Sequence, residues 1–180
     1  MKINLLLSLG LVLVSALHAH QTASDKKAID MQKLSGKWHS IYLASSEKKR
    51  IENGGDMRFS IDSIEVGEHE VTFNLYFRKD GKCYPYAMVA HKTENNNELK
   101  VDYEGENIVY MEEANAESFV IFCTYNFQNG TETKMLELYG RSKIMNENVK
   151  GLFKDICKKY GVEKDNVIDM TKEDECYKDK

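Results

Sequence analysis

The feature that most constrains the fold is a repeated alternation of apolar and polar side chains between residues 38 and 141. In residues 57–62 every second side chain is apolar, and residues 71–78 and 98–103 repeat the pattern. Successive side chains of a β-strand point to opposite faces, so each segment predicts a strand with one dry face and one wet face. Such strands are typical of an antiparallel sheet that closes around a core.

Turn-forming sequences separate these segments at intervals of roughly 8–12 residues. They are rich in Gly, Asn and Asp, and the clearest are Asn53-Gly54-Gly55, Asp80-Gly81, Asn95-Asn96-Asn97, Glu104-Gly105 and Asn129-Gly130. The strands do not alternate with helical segments here, which excludes a parallel α/β sheet. The pattern therefore predicts an all-β meander, sandwich or barrel.

One helix is predicted after the strands. Its apolar side chains follow the i, i+3, i+4, i+7 spacing of a single stripe over residues 146–160, and Gly161 supplies a stop. Residues 118–127 are apolar on both faces, and so are parts of residues 133–141. A strand that is apolar on both faces needs a cover on its outer side. We therefore expect the helix to pack against the outside of these strands.

The first 19 residues are typical of a secretory signal peptide. Lys2 precedes an apolar run over residues 5–17, and the small residue Ala19 follows. The run is shorter than the about 20 residues that cross a bilayer as a helix. We therefore predict cleavage after Ala19 and an extracellular protein in which residues 20–180 form a single domain.

The charge of the chain excludes two classes of partner. The net charge of the 180 residues is −4. This mild acidity offers no basic stripe for nucleic acid and no polybasic segment for anionic lipid. We expect no nucleic-acid partner, no membrane insertion, and a monomer or weak homodimer. The basic run Lys48-Lys49-Arg50 is expected to decorate a loop after the first strand.

In a secreted protein the four cysteines predict a disulfide. Cys83, Cys123, Cys157 and Cys176 contain no CxxC pair, which argues against a structural zinc site. Four cysteines allow three complete pairings, and their spacing alone selects none. The sequon Asn129-Gly130-Thr131 suits the same compartment, so Asn129 is a predicted glycosylation site.

Three local features together resemble the lipocalin family. Gly36-Lys37-Trp38 opens the first strand, Tyr139-Gly140-Arg141 closes the last long strand, and Cys83 and Cys176 bracket the remainder. Lipocalins carry a Gly-x-Trp at the barrel floor and an Arg from the final strand over that Trp. The resemblance thus implies that Arg141 covers Trp38, a cation–π contact of roughly 0.5–2 kcal/mol.

The similarity is strongest to the branch of the major urinary proteins and mammalian lipocalin allergens. It is carried by residues 43–46, 51–55, 89–94, 103–105, 138–141 and 166–170, whereas residues 126–132 resemble epididymal lipocalins. The resemblance implies an eight-stranded antiparallel up-and-down β-barrel with one C-terminal α-helix outside. It also implies a disulfide between Cys83 and Cys176. We expect Cys123 and Cys157 to be free thiols, with a second disulfide between them as the alternative.

No catalytic residue, cofactor or metal is expected. The family includes a prostaglandin synthase whose thiol points into the cavity from an early strand, but residues 58–64 contain no Cys. His39, His69 and His91 are scattered and form no HExxH pair. A filled core would satisfy the strand periodicity equally well, and only the family resemblance implies an open cavity.

We therefore expect a secreted carrier of a small apolar ligand that is odorant-, pheromone- or lipid-like. An eight-stranded barrel is wide enough to enclose one such ligand. The alternative is an extracellular interaction protein whose loops act on a receptor or another protein. The apolar or aromatic side chains that alternation places inside the barrel are Met57, Phe59, Ile61, Phe73, Leu75, Met88, Val101, Tyr103, Val109, Phe122, Met135 and Tyr139.

Glu137 is the charged side chain predicted to join this lining. In residues 133–141 it lies on the same face as Arg141, which points to the barrel floor. An isolated ionised carboxylate there is costly, so it is expected to be protonated, paired or hydrated. The alternatives are a bulge that turns Glu137 to solvent, or a purely structural hydrogen bond with Tyr139 or Tyr103. Facing the cavity, Glu137 and the Tyr139 hydroxyl would orient a ligand with a hydroxyl, carbonyl or amine.

Overall fold

The structure is a computed structural model that describes residues 30–172 and Cys176. The predicted signal peptide, residues 1–19, lies outside the described residues. Within the described part of the chain, no helix has both the length and the apolar character needed to span a bilayer.

Between residues 30 and 172, ten strands form one antiparallel sheet. Their bounds are β1 (Gly36–Lys37), β2 (His39–Ser45), β3 (Phe59–Val66), β4 (Glu70–Lys79), β5 (Lys82–Lys92), β6 (Glu98–Asp102), β7 (Glu106–Asn115), β8 (Phe119–Gln128), β9 (Thr131–Gly140) and β10 (Val167–Asp169). From β3 to β9 each strand pairs with the next, as in a meander. Within this meander the pairing is shortest between β5 and β6, which share two register pairs, His91 with Lys100 and Lys92 with Leu99.

The first strand closes the sheet on itself. β1 pairs with β3, so that Gly36 lies opposite Ile64, whereas β2 pairs with β9, so that His39 lies opposite Gly140. The chain therefore joins the two ends of the sheet at Trp38. If β1 and β2 are counted as one interrupted strand, they and β3 to β9 are the eight predicted strands. β10 is a short addition alongside β2. The predicted class, an antiparallel barrel with one outer helix, is confirmed.

Two of the predicted turns have the backbone that a two-residue hairpin requires. Asp80 and Gly81 have φ angles of 51° and 74°, and Asn129 and Gly130 have φ angles of 49° and 76°. Positive φ at both central residues matches the twist of the flanking strands and favours Asn-Gly or Asp-Gly. Asn129 is exposed at its hairpin tip, and its glycosylation stays a prediction.

The apolar residues form separate inner and outer clusters. The inner cluster fills the barrel and includes Trp38 and Phe122. The outer cluster lies between the strands and helix α1 (Glu147–Lys159), and it contains Leu136, Phe153 and Cys157. β8 and β9 are apolar on both faces because the barrel interior covers one face and α1 covers the other. The helix begins and ends as predicted, with Asn146 and Tyr160 as its caps.

Trp38 and Arg141 form the floor of the barrel. Trp38 is 1% exposed, and its indole Nε1 donates a hydrogen bond of 2.7 Å to the Leu34 carbonyl. The Arg141 guanidinium lies 3.8 Å from the centroid of the Trp38 ring. It also donates hydrogen bonds to the carbonyl oxygens of Lys33, Ser35, Lys37 and Ala116.

The cysteines are paired as the family resemblance implies. A disulfide joins Cys83 on β5 to Cys176 in the C-terminal tail, across a sequence separation of 93 residues. Cys123 on β8 and Cys157 on α1 are free, and both are buried in the outer cluster between the strands and the helix. Burial raises the pKa of both thiols to about 12, so both remain protonated and unreactive near neutral pH.

Replacement of the floor residue is expected to destabilise the barrel strongly. Trp38→Ala should lower the free energy of unfolding by about 3–5 kcal/mol, because it removes a large buried side chain and leaves a cavity. The matched control is Ile144→Ala, since Ile144 is apolar but 89% exposed. Trp38 is the single Trp of the chain, so the variant has no Trp fluorescence with which to follow unfolding. Urea unfolding should therefore be followed by circular dichroism. An unchanged midpoint for Trp38→Ala would contradict the assignment of the barrel floor.

Reduction of the disulfide is expected to lower thermal stability. The chain-entropy estimate for a loop of this length is an upper figure of about 4–5 kcal/mol. Reductant should lower the Tm of the wild type but leave the Tm of the Cys83→Ser/Cys176→Ser double variant unchanged. Peptide mapping that found Cys83 bonded to Cys123 or Cys157 would contradict the pairing.

Candidate functional site

An apolar cavity lies inside the barrel. About 40 Å³ of it is open to the centres of water-sized molecules. Adding a water radius all round converts a compact space of this size into a void of roughly 180 Å³. At the packing density of protein interiors, such a void holds about 135 Å³ of ligand atoms, which is close to the size of a substituted benzene ring. The side chains around it are Met57, Phe59, Phe73, Leu75, Met88, Val101, Tyr103, Asn107, Val109, Phe122, Thr124, Met135, Glu137 and Tyr139.

The prediction for Ile61 was wrong. Every other residue predicted for the lining lies in it, but Ile61 does not. Its side chain faces the interior, as the alternation requires, and is fully buried in the same cluster as Trp38. Its backbone N–H donates to Ser40 Oγ at 2.9 Å, and the register of β3 shifts between Ile61 and Ser63. Ile61 therefore packs where the interior is filled and contributes no surface to the cavity.

Two polar residues of the lining were missed by the sequence analysis. Asn107 and Thr124 both contact the cavity and are buried. Asn107 is two residues from Val109, and Thr124 is two residues from Phe122, so strand alternation places all four inside. Restricting the predicted lining to apolar side chains and Glu137 excluded them, although the same alternation would have found them.

The cavity wall formed by β8 and β9 carries a polar group. Glu137 Oε1 accepts a hydrogen bond of 2.7 Å from the Tyr139 hydroxyl, and Oε2 accepts one of 3.4 Å from Thr124 Oγ1. The carboxyl group is enclosed by the protein but keeps some surface toward the cavity. Burial raises the pKa of Glu137, and the two hydrogen bonds oppose that rise. The interior thus favours a protonated carboxyl group more than water does.

The geometry excludes one of the two alternatives considered for Glu137, the bulge, and shows the hydrogen bond with Tyr139 that the other predicts. The pairing of β8 with β9 runs without a register shift, so no bulge turns Glu137 outward. The hydrogen bond to Tyr139 exists, and the carboxyl group still borders the cavity. Tyr103 instead donates from its hydroxyl to the Asp56 carbonyl at 2.7 Å. Burial and nearby carboxylates raise the pKa of Tyr103 to about 12, so it remains a donor.

Three aromatic rings form a layer between the cavity and the open end of the barrel. The Phe59 ring centroid lies 5.9 Å from that of Tyr86 and 5.3 Å from that of Tyr103. The centroids of Tyr86 and Tyr103 are 5.6 Å apart. We call these three residues the aromatic layer. Tyr86 was missed by the sequence analysis, because its role depends on contacts with rings from two other strand ends.

A polar network fixes the loop beside this layer. Arg50 Nε donates to both carboxylate oxygens of Asp56, at 3.1 and 3.2 Å, and Nη1 donates to Asn126 Oδ1. Asn126 donates to Asn107 Oδ1 at 2.9 Å, and Asn107 donates to the Tyr103 carbonyl at 2.7 Å. The expectation that Arg50 only decorates a loop was wrong: its side chain is 13% exposed and ties the loop to the barrel.

The described part of the chain contains neither a cluster of metal-binding side chains nor a cysteine that faces the cavity. No group of three or more His, Cys, Asp or Glu side chains is placed there to hold a metal ion. Among the described residues no cysteine belongs to the cavity lining, since Cys123 and Cys157 lie in the outer cluster. What the site offers is an apolar enclosure with one hydrogen-bonded carboxyl group.

Comparisons with known proteins agree with this geometry. A model of the lipocalin/cytosolic fatty-acid binding protein family matches residues 35–174. Major urinary protein 4 of Mus musculus is 35% identical over 175 residues, which cover 97% of this chain and 98% of that protein. Epididymal-specific lipocalin-9 of Mus musculus is 37% identical over 175 residues, which cover 96% and 98%.

A solved structure gives the same fold with a ligand present. The possum milk whey lipocalin trichosurin, crystallised with bound 4-ethylphenol, superposes with a TM-score of 0.76. The two chains are 31% identical, and the match covers 79% of this chain and 100% of trichosurin.

We expect the raised pKa of Glu137 to appear in the pH dependence of the free energy of unfolding. Its pKa is raised from 4.5 in the folded protein, so between 4.5 and the raised value the folded state retains a proton that the unfolded state has lost. The wild type should therefore lose stability as the pH rises through this window. Relative to the wild type, Glu137→Gln should gain stability with pH from about 4.5 upward and level off above the raised value.

The measurement is the free energy of unfolding in urea at a series of pH values. Glu132→Gln removes an exposed carboxylate from the same strand and is the matched control. Parallel pH profiles for the wild type and Glu137→Gln would mean that the carboxyl group is in water.

Proposed function

The chain belongs to the lipocalin family, and from that premise we propose that it carries one small apolar molecule with a single hydrogen-bonding group inside its barrel. The observation that carries the proposal is the enclosed apolar cavity, whose wall bears the hydrogen-bonded group of Glu137, Tyr139 and Thr124. The apolar lining supplies the main driving force, because it removes ligand surface from water. The polar group supplies orientation.

The chemistry of the polar group limits the ligand. Both carboxyl oxygens of Glu137 already accept a hydrogen bond from the protein. A protonated carboxyl group has one donor left for the ligand, so it suits a ligand hydroxyl or carbonyl. The 4-ethylphenol of trichosurin, an aromatic ring with one hydroxyl, belongs to this class of molecule. Odorant-, pheromone- or lipid-like molecules of similar size make up the proposed class for this chain.

The size of the cavity sets the affinity that is reasonable. A ligand of about ten non-hydrogen atoms, at roughly 0.7 kcal/mol each, would bind with about −7 kcal/mol. That corresponds to a Kd of about 10 µM. Such an affinity suits a carrier that releases its ligand as well as binding it.

Two observations support an extracellular carrier rather than an enzyme. The Cys83–Cys176 disulfide is of the kind that persists in oxidising compartments. The two remaining thiols lie outside the barrel interior and have raised pKa values, so neither is placed to act as a nucleophile on a bound molecule.

Isothermal titration calorimetry with 4-ethylphenol and ethylbenzene tests the proposal, because both molecules have the size that the cavity holds. 4-Ethylphenol should bind about three- to tenfold more tightly than ethylbenzene, because a net hydrogen bond is worth about 0.5–1.5 kcal/mol. Glu137→Gln and Tyr139→Phe should reduce this preference, whereas the control Glu132→Gln should keep it. The preference of the wild type should change with pH as Glu137 ionises, and that of Glu137→Gln should not.

The outcomes separate the candidate functions. If the wild type and Glu137→Gln share one pH profile and one ligand preference, the carboxyl group does not contact the ligand. If neither compound nor any other small apolar molecule of this size binds, the carrier proposal is wrong, and action through the loops on a protein partner becomes the favoured hypothesis.

A further inference from the structure

A groove on the outer surface of the barrel is separate from the cavity. It follows the outward faces of β7 and β8 and is bounded by the end of α1. On β8, Tyr125 lies in the groove, whereas its neighbour Thr124 borders the cavity. We call this surface the tyrosine groove. Its lining includes Tyr110, Glu112, Tyr125, Phe127, Glu132 and Tyr160.

The end of the tyrosine groove beside α1 is held by contacts within the chain. The centroid of the Tyr125 ring lies 5.9 Å from that of Tyr110 and 6.2 Å from that of Tyr160, and both pairs are edge-on. The Tyr160 hydroxyl donates a hydrogen bond of 2.5 Å to Glu112 Oε1, and Lys159 Nζ donates one of 3.1 Å to Oε2. The groove therefore presents a preformed aromatic surface to whatever binds there.

Phe127 extends the tyrosine groove toward the open end of the barrel. It is 40% exposed and lies opposite Glu132 of β9. Tyr125 is two residues away on the same face of β8, which corresponds to a spacing of about 7 Å along the strand. One exposed apolar side chain is common on a protein surface, but a continuous aromatic surface is typical of an interaction site.

The β8–β9 hairpin places the single N-glycosylation sequon of the chain at this end of the groove. Asn129 is two residues beyond Phe127 and forms the turn with Gly130. Asn129 and Thr131 are the two residues that define the sequon, and both are exposed. A glycan on Asn129 would therefore begin at the mouth of the tyrosine groove.

The chemistry of the groove suits a sugar. A pyranose ring has a face of C–H bonds and a rim of hydroxyl groups. Polarised C–H bonds are attracted to the negative face of an aromatic ring, which Phe127 supplies. Hydroxyl groups donate strong hydrogen bonds to a carboxylate. The Glu132 side chain opposite Phe127 is 46% exposed, and its Oε1 lies 3.8 Å from Lys134 Nζ. An aromatic face and a charged acceptor thus lie side by side.

The size of the groove favours an attached occupant over a separate protein. Seven residues line it, whereas a stable protein interface uses about 20–30 residues on each side. A glycan attached at the mouth needs only a weak contact, because attachment makes its binding intramolecular.

We propose that Asn129 carries an N-linked glycan whose first sugar packs against Phe127 and lies along the tyrosine groove. In the transfer, the bond between the anomeric carbon of the sugar and the pyrophosphate oxygen of a lipid-linked donor breaks. A bond from that carbon to Asn129 Nδ2 forms, and the amide loses one proton as the lipid pyrophosphate leaves. This inference concerns the outer surface, goes beyond the carrier function and rests on the predicted secretion of the chain.

The test compares the same chain with and without the sugar. Mammalian cells that make only high-mannose glycans supply the secreted protein, and endoglycosidase H trims each glycan to one N-acetylglucosamine. Export to the bacterial periplasm supplies the unglycosylated chain with its disulfide. Urea unfolding followed by Trp38 fluorescence gives the folding equilibrium constant of each form. The sugar should raise this constant roughly three- to tenfold, which is the size of one aromatic contact.

Variants and spectra locate the contact. Phe127→Leu keeps an apolar side chain but removes the ring, so it should lose most of the gain in stability that the sugar provides. Tyr84→Leu is the matched control, since Tyr84 is 41% exposed on β5, outside the tyrosine groove, and it should keep the full gain. NMR spectra of the wild type should show nuclear Overhauser effects between the Phe127 ring and the sugar.

The possible failures are distinct. If mass spectrometry finds no glycan on Asn129 of the secreted protein, the inference is wrong. If Phe127→Leu gains as much stability from the sugar as the wild type does, the glycan does not lie in the groove, and the inference is wrong. If the glycosylated chain forms dimers that Phe127→Leu dissociates, a second copy occupies the groove instead. None of these outcomes concerns ligand binding inside the barrel, which calorimetry tests separately.

Discussion

The guanidinium of Arg141 on the indole of Trp38 is the contact on which the rest of the barrel depends. Trp38 lies where the chain leaves the pairing with β3 and enters the pairing with β9, and Arg141 directly follows β9. The same guanidinium binds carbonyl oxygens of the segment that leads into β1, including that of Ser35. One cation thus joins the beginning and the end of the sheet. Joining these ends curls the sheet into a barrel, and the rigid wall of a barrel can keep a void open instead of collapsing into a filled core.

Strand periodicity predicted which side chains face inward but not how deep each one lies. Alternation specifies a face, because successive side chains point to opposite sides of a strand. The position along the barrel axis depends on register, bulges and the bulk of neighbouring side chains. Ile61 shows the difference: it faces inward, but it lies beside the bulge of β3 in the cluster of Trp38 and is packed on every side. Asn107 and Thr124 show the opposite error. They were left out of the predicted lining because they are polar, but they face inward and border the cavity.

Local sequence patterns could not predict contacts between residues that are far apart in the chain. The spacing of the cysteines left three pairings open, and only the likeness to a family pointed to Cys83 and Cys176. The network from Arg50 to Asn126 joins residues 76 positions apart in the sequence. A basic run in a loop is normally solvated, so the burial of the Arg50 side chain follows only from the way the loop folds back over the barrel. The aromatic layer is similar, because Phe59 begins β3, Tyr86 lies within β5 and Tyr103 follows β6, and only the fold brings their rings together.

Helix α1 makes the barrel wall uneven in stiffness. α1 covers β8 and β9, which carry Thr124, Glu137 and Tyr139. The hydrogen-bonded carboxyl group of the cavity therefore lies on a wall that is packed on both sides. Across the barrel, β5 and β6 share only two register pairs, and Met88 contributes a flexible side chain there. If the barrel binds its ligand as proposed, the molecule would be held to a fixed point at its polar end and to a yielding surface elsewhere. Such a site would accept many shapes but only one placement of the polar atom, so its selectivity would be positional rather than steric.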